Sequence, residues 1–266
     1  MLLKMNTKTM QMRMKARLTG TPVVALCGKV WVPSRNPDKY PVCPECKEIW
    51  QSMKPGDPGD PLLRQVLPSL QERERVPGFV KDPLGEDDSA LSFQRAPALI
   101  QKYQGRVLMI TTPACAVNCR YCFRRHFPYQ DHKPSAHGQA LDLIRSDTSI
   151  SEVILSGGDP LLLGDLAFAT LIKQINAIEH VERIRVHSRL PIVLPQRVTP
   201  SLVETIQTSR CPVVMVVHCN HTQELDAKTK RAFQCLRDSG AHVLNQSVLL
   251  AGINDDAGLL CQLSQS

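Results

Sequence analysis

The chain has 266 residues, 42% of them hydrophobic and 21% charged, which is enough apolar content for a substantial core and excludes disorder as the state of the whole. No run reaches the roughly 18 to 20 apolar residues of a membrane-spanning helix, and the start MLLKMNTKTMQMRMK carries charges where a signal peptide has its apolar stretch, so a soluble cytoplasmic chain without a membrane partner is expected. The formal net charge of +7 falls within the first 55 residues and the remainder balances, so a short basic segment precedes a neutral body.

Ten cysteines in such a chain point to metal or cluster ligands, or to buried thiols, rather than to a disulfide framework. Residues 1–52 form the basic segment, in which Cys43 and Cys46 make a C-P-E-C knuckle and Cys27 lies upstream. A two-residue gap turns two thiolates onto one zinc ion, but a closed site needs four ligands. Either Asp38, an outside ligand or a second chain completes a small zinc ribbon, or the ribbon is degenerate and metal-free. The ALCGKVWVP and CPECKEI pattern resembles a family of short uncharacterised bacterial proteins. Without interleaved aromatics, the segment gives little support to a nucleic-acid partner.

Residues 53–104 are Pro-rich and read as linker, short helix and turns. From 105 to 266 an alternation begins. Short β-branched runs at Arg106–Thr111, Glu152–Leu155, Arg183–Val186, Val213–Val217 and His242–Leu250 are separated by helical periods near 136–146, 165–178, 200–208 and 224–239. Strands alternating with helices predict an α/β fold, a partial parallel (β/α) barrel with its site at the C-terminal strand ends. The alternation stops at Ser266 as a fifth helix begins; a sixth strand is expected to be missing, and the exposed edge would then need another chain over it, which makes a homo-oligomer an expectation.

The first strand runs into CAVNCRYCFRRHFPY, where Cys115, Cys119 and Cys122 are spaced C-x3-C-x2-C. Three thiolates on one loop hold three irons of a 4Fe-4S cluster and leave the fourth open to an exogenous ligand. With Tyr121 before the third cysteine, this resembles the radical S-adenosylmethionine (SAM) signature. The next strand ends in Ser156, Gly157, Gly158 and Asp159, where glycines either let the amino-acid end of SAM approach the backbone or merely fit a tight turn.

Residues 57 to 266 resemble the radical SAM lysine 2,3-aminomutase family, in its EpmB-like branch that supplies β-lysine for elongation factor P. The match is carried by DPLLRQVL, CAVNCRYCFRRHFPY, SGGDPL, HSRLPIVLPQR, HCNH and LNQSVLL followed by Asn254-Asp255. The resemblance implies that SAM and pyridoxal phosphate (PLP) act together: reductive SAM cleavage gives a 5′-deoxyadenosyl radical, a β-hydrogen leaves PLP-bound lysine, and nitrogen migrates from Cα to Cβ. It gives Arg124 the substrate carboxylate and Asp255 the distal ammonium. Lys102 and Arg106 fall near PLP-phosphate contacts, His218 near SAM, and Gln246 near either cofactor. Each has a plainer alternative: a cap for Asp255, solvated charge for Lys102 and Arg106, a strand-end or metal-pairing histidine for His218, satisfied backbone for Gln246. In the family the lysine that anchors PLP lies in a later segment, so no lysine here is nominated. The competing expectation is a non-catalytic module, a ribbon that binds nucleic acid or protein fused to a degenerate barrel.

Overall fold

A computed structural model describes Val23–Val24, Val30–Trp31 and residues 59–266 other than 68, 70, 71, 73, 75, 81, 87–93, 128, 130–135 and 266. The chain divides into Met1–Pro58 and Gly59–Ser266. In the first unit, β1 (Val23–Val24) pairs antiparallel with β2 (Val30–Trp31). Cys27, Cys43 and Cys46 lie outside the described residues.

The second unit is built on one seven-stranded sheet, ordered β3 (Gln94–Ala96), β4 (Leu99–Tyr103), β5 (Arg106–Thr112), β6 (Glu152–Gly157), β7 (Arg183–Ser188), β8 (Val213–Val217) and β9 (His242–Asn245). The first three strands pair antiparallel and β5 through β9 pair parallel. The crossovers carry α1 (His137–Ser146), α2 (Asp165–Asn176), the four-residue α3 (Leu190–Val193), α4 (Pro200–Gln207) and α5 (Ala227–Asp238), and α6 (Ala257–Gln265) follows β9. The sheet is the partial barrel expected from the alternation, left open between β3 and β9.

Local chemistry starts the helices where the sequence suggests. Thr199 caps α4 by accepting Leu202 N at 3.1 Å with Pro200 in the first turn, and Asp226 caps α5 by accepting Thr229 N at 2.8 Å. The β8 run VVMVV is buried at all five positions, as a central parallel strand covered on both faces must be. One apolar core, including Met109, Leu155, Phe168, Ile184 and Met215, joins strands to helices. A smaller cluster of Ala98, Ile100 and Ile110 meets Phe127 and Tyr129 beyond the cysteine loop.

Two segments depart from expectation. β3 and β4, within the stretch read as linker and turns, extend the sheet as a hairpin turning at Ala98, whose φ of 64° is uncommon for a residue with a Cβ. The fifth parallel strand ends at Asn245 rather than Leu250, because side chains take over the backbone groups that a strand would pair. Asn220 Oδ1 accepts Val248 N at 2.8 Å, and Asn254 Oδ1 accepts Leu250 N at 2.6 Å.

Candidate functional site

The C-terminal ends of the parallel strands gather the chemistry. After β5 comes the loop bearing Cys115, Cys119 and Cys122, tightened by Cys122 N donating to Cys119 O at 3.2 Å. Burial, then the charges of Asp159 and the other two cysteines, pushes the Cys115 thiol up to about 12, although the residue itself reaches the surface. Burial raises the Cys122 thiol too, so these two crowded thiols need a cation to be held as thiolates, which suits an iron–sulfur core. Among the described residues no three such side chains close on a single metal ion, whereas a cubane places each thiolate on a different iron.

The SGGDP turn is explained by the loop beside it. A Cβ on Gly158 would stand 2.1 Å from Ala114 O, and Gly157 has φ of +106° with Ile110 in the way of a side chain. Gly158 admits the start of the cysteine loop and Gly157 the end of β5, so the turn-geometry alternative accounts for both. The turn's backbone is also engaged: Gly158 N donates to Thr112 O at 2.7 Å, Asp159 N to Ala114 O at 2.8 Å, and Gly157 O accepts Tyr129 Oη at 2.7 Å. The second lone pair of Gly157 O remains for an ammonium donor.

Asp159 is a brace. Its buried carboxylate accepts Leu161 N (3.0 Å), Ser188 Oγ (2.6 Å), Arg189 N (2.9 Å) and Leu190 N (3.1 Å), tying the ends of β6 and β7 together. Burial lifts its pKa while these four donors oppose the rise.

Arg124 is interior, as its place after the cysteines implied. Its guanidinium, 7% exposed, grips Glu86 with two bonds, Nε to Oε2 at 2.6 Å and Nη2 to Oε1 at 2.8 Å, while Nη1 donates to Ser156 Oγ at 3.1 Å. Lys102 Nζ stands 3.7 Å from the same Glu86 and donates to Leu84 O at 2.5 Å. Two expected site residues thus meet at a carboxylate that the sequence reading passed over as linker. Arg106 is exposed at the opposite end of β5, its guanidinium 5.6 Å from the Tyr103 ring centre.

His187 and His218 meet edge to face at 5.7 Å. Burial brings each down to about 4, helped for His187 by His218, Arg185 and Arg124 and for His218 by Arg189; a hydrogen bond with exposed Gln246 opposes the shift at His187. Nε2 of His218 is buried without a protein partner, an unpaired nitrogen suited to a ligand. His221 is committed elsewhere, its Nδ1 accepting Gln223 N at 3.2 Å. Asp255 is an exposed turn residue that accepts Gly252 N at 2.7 Å, and the capping of α6 falls to Asp256, which accepts Leu259 N at 2.8 Å.

A second buried guanidinium, Arg189, was also missed. Nη1 donates to Cys119 Sγ at 2.9 Å and Tyr121 Oη at 2.6 Å; Nη2 donates to Gln65 Oε1 and Glu224 Oε1, both at 2.8 Å. Gln65 arrives from a strap at residues 60–72 whose Glu72 also binds Arg120 (2.7 Å) and Arg125 (2.8 Å) of the cysteine loop. Burial raises the Glu72 pKa, but hydrogen bonds from Ser69 N, Arg125 and Arg120 bring it below the usual carboxylate value.

A three-cysteine loop on the first parallel strand, beside a glycine turn on the second, defines a radical SAM domain. Residues 109–216 match the Radical SAM superfamily, and residues 10–53 match Protein of unknown function (DUF3039). The chain is 44% identical over 220 residues to the L-lysine 2,3-aminomutase of Buchnera aphidicola subsp. Baizongia pistaciae, covering 82% of this chain and 64% of that protein. It is 45% identical over 216 residues to that of Escherichia coli K12 (80% and 62%), and 39% over 212 to that of Clostridium subterminale (79% and 50%). The chain thus carries a radical SAM domain and is similar over about 80% of its length to L-lysine 2,3-aminomutases, of whose length it spans less than two thirds.

Proposed function

We propose that this chain is a radical SAM lysine 2,3-aminomutase that makes β-lysine, of the kind used to modify elongation factor P. The observation that carries the reading is the buried Arg124 guanidinium, reached two residues after the third cysteine and bonded to Ser156 at the start of the glycine turn. Its Nε edge is taken by Glu86, and the opposite edge can receive a substrate carboxylate through two parallel bonds.

Cys115, Cys119 and Cys122 would hold the cluster, the carbonyl of Gly157 and the unpaired nitrogen of His218 would meet SAM, and Lys102 would face the phosphate of PLP, whereas Arg106, at the far end of β5, is too remote for that role. When bound, cluster and SAM supply a carbon-centred radical and PLP supplies the electron sink for amino-group migration. The chain itself orients lysine by its carboxylate at Arg124 and by its ammonium at Asp255. Arg64 O and Ser69 Oγ accept from Arg120 and so tie the cysteine loop in place. Expected of the anaerobically reconstituted chain are four irons and lysine-dependent SAM cleavage to 5′-deoxyadenosine. The Cys119→Ala protein should lose the 4Fe-4S spectrum and Cys235→Ala should keep it. A chain that binds no iron, or cleaves SAM with a normal spectrum after Cys119→Ala, would sink the reading.

A further inference from the structure

Arg189 is costly to the fold as it stands. It is 8% exposed, its one carboxylate partner is Glu224, and its Nε is buried without a partner. Desolvating a guanidinium is costly, and a buried donor left unmet adds to that cost. Asp159 nevertheless fixes its backbone through Arg189 N, and Gln65, Glu224 and Tyr121 fix its tip, so that Nη1 is aimed at Cys119 Sγ. Glu224 is fixed in turn, its Oε2 accepting Asn220 N at 2.7 Å and His221 N at 3.0 Å. So much positioning for one cation against a thiol makes sense if that sulfur carries negative charge.

We infer that Arg189 sets the reduction potential of the cluster held by Cys115, Cys119 and Cys122, with Glu224 as an opposing charge on its other terminal nitrogen. The inference rests on the cluster reading above. Reduction moves one electron from a low-potential donor onto the cluster and moves no proton, so the cluster gains one negative charge. A guanidinium donating to a cluster sulfur stabilises the reduced form and raises the potential; a carboxylate nearby lowers it. Glu224 lies on the terminal nitrogen of Arg189 that faces away from Cys119, so its influence is the weaker of the two.

The test reconstitutes the full chain with iron and sulfide, without SAM, and follows the reduced-cluster EPR signal through a potentiometric titration. Arg189→Met shifts the midpoint to more negative potential, Arg189→Lys restores most of the shift, and Glu224→Gln moves it the other way by less. Both Arg189→Met and Glu224→Gln break the same ion pair, so a purely structural role moves the two midpoints in the same direction or neither. Shifts of one sign, or unchanged midpoints with intact cluster signals, overturn the inference alone. A wild-type chain that forms no cluster overturns it together with the proposed function. If Arg189→Met fails to fold, the sign of the Glu224→Gln shift decides, since glutamine keeps the side-chain shape and one acceptor oxygen.

Discussion

Two buried guanidinium groups flank the cysteine loop and are held in opposite ways. Arg124 is gripped along one edge, Nε and Nη2 to the two oxygens of Glu86, which comes from the segment before the sheet. Arg189 spreads four bonds over Nη1 and Nη2, onto a thiol, a phenol, an amide and a carboxylate from three different segments, and leaves Nε unmet. A side-on grip leaves a pair of parallel donors for a ligand, whereas a tip saturated by the protein itself leaves a fixed charge. The first arrangement suits recognition and the second suits tuning.

The largest expected effect comes from breaking the first grip. Arg124→Met strands Glu86, whose side chain is 5% exposed, with Lys102 at 3.7 Å as its one other cation among the described residues, and should cost about 3 to 5 kcal/mol in a denaturant titration. Adding Glu86→Gln removes the stranded charge and should recover much of that loss, giving strong coupling in a double-mutant cycle. Arg124→Lys keeps the charge but not the fork, so stability falls less while lysine-dependent turnover drops by roughly a hundredfold, two charge-assisted bonds at about 1.5 kcal/mol each. A lysine variant with full turnover would show that Arg124 is merely half of an ion pair.

A smaller effect links each guanidinium to a histidine. After burial, the charges holding His187 low include Arg124, and the charge holding His218 low is Arg189. Both histidines sit at about 4 in the fold against about 6.5 unfolded, so the unfolded chain binds more protons between those values. Stability from this source is complete above pH 6.5 and is lost as pH falls toward 4, on the order of a few kcal/mol for the two together. Arg189→Met should raise the His218 pKa and make the acid loss shallower. His218→Phe should flatten that limb further; an unchanged pH profile of thermal unfolding in His218→Phe would argue against a neutral buried imidazole.

How far these features were legible in the sequence divides along the same line. The parallel strands β5 to β8 and the longer helices between them were readable because β-branched runs alternate with helical periods, VVMVV being buried throughout. Arg124 was readable from its place after the cysteines. Glu86, Gln65, Arg189 and Glu224 were not, since their roles exist only across 35 to 124 residues of sequence separation. Gln65 and Arg189 lay in motifs quoted for family likeness without any role, and Glu86 sat in a Pro/Gly-rich stretch with no periodicity to mark it. The hairpin of β3 and β4 was hidden because a turn at a positive-φ alanine carries none of the usual Gly or Asn signal.

The smallest expected change tests whether burial, rather than the pairing of guanidinium and carboxylate as such, makes the two site arginines matter. Arg145 and Asp142 form the same kind of contact at 2.6 Å on α1, but with side chains 50% and 76% exposed. Water screens both charges, and holding two long side chains together offsets the Coulombic gain, so an i,i+3 pair of this kind contributes about 0.2 to 0.5 kcal/mol. Arg145 also lies in the last turn of α1, where a cation meets the carbonyl end of the helix and adds a similar few tenths. Arg145→Ala should therefore change stability by less than about 1 kcal/mol, and less still in molar salt, with the cluster spectrum untouched. A loss as large as that of Arg124→Met would mean that desolvation is not what separates the site arginines from an ordinary surface pair, and the contrast between the two grips would have to be rebuilt on geometry alone.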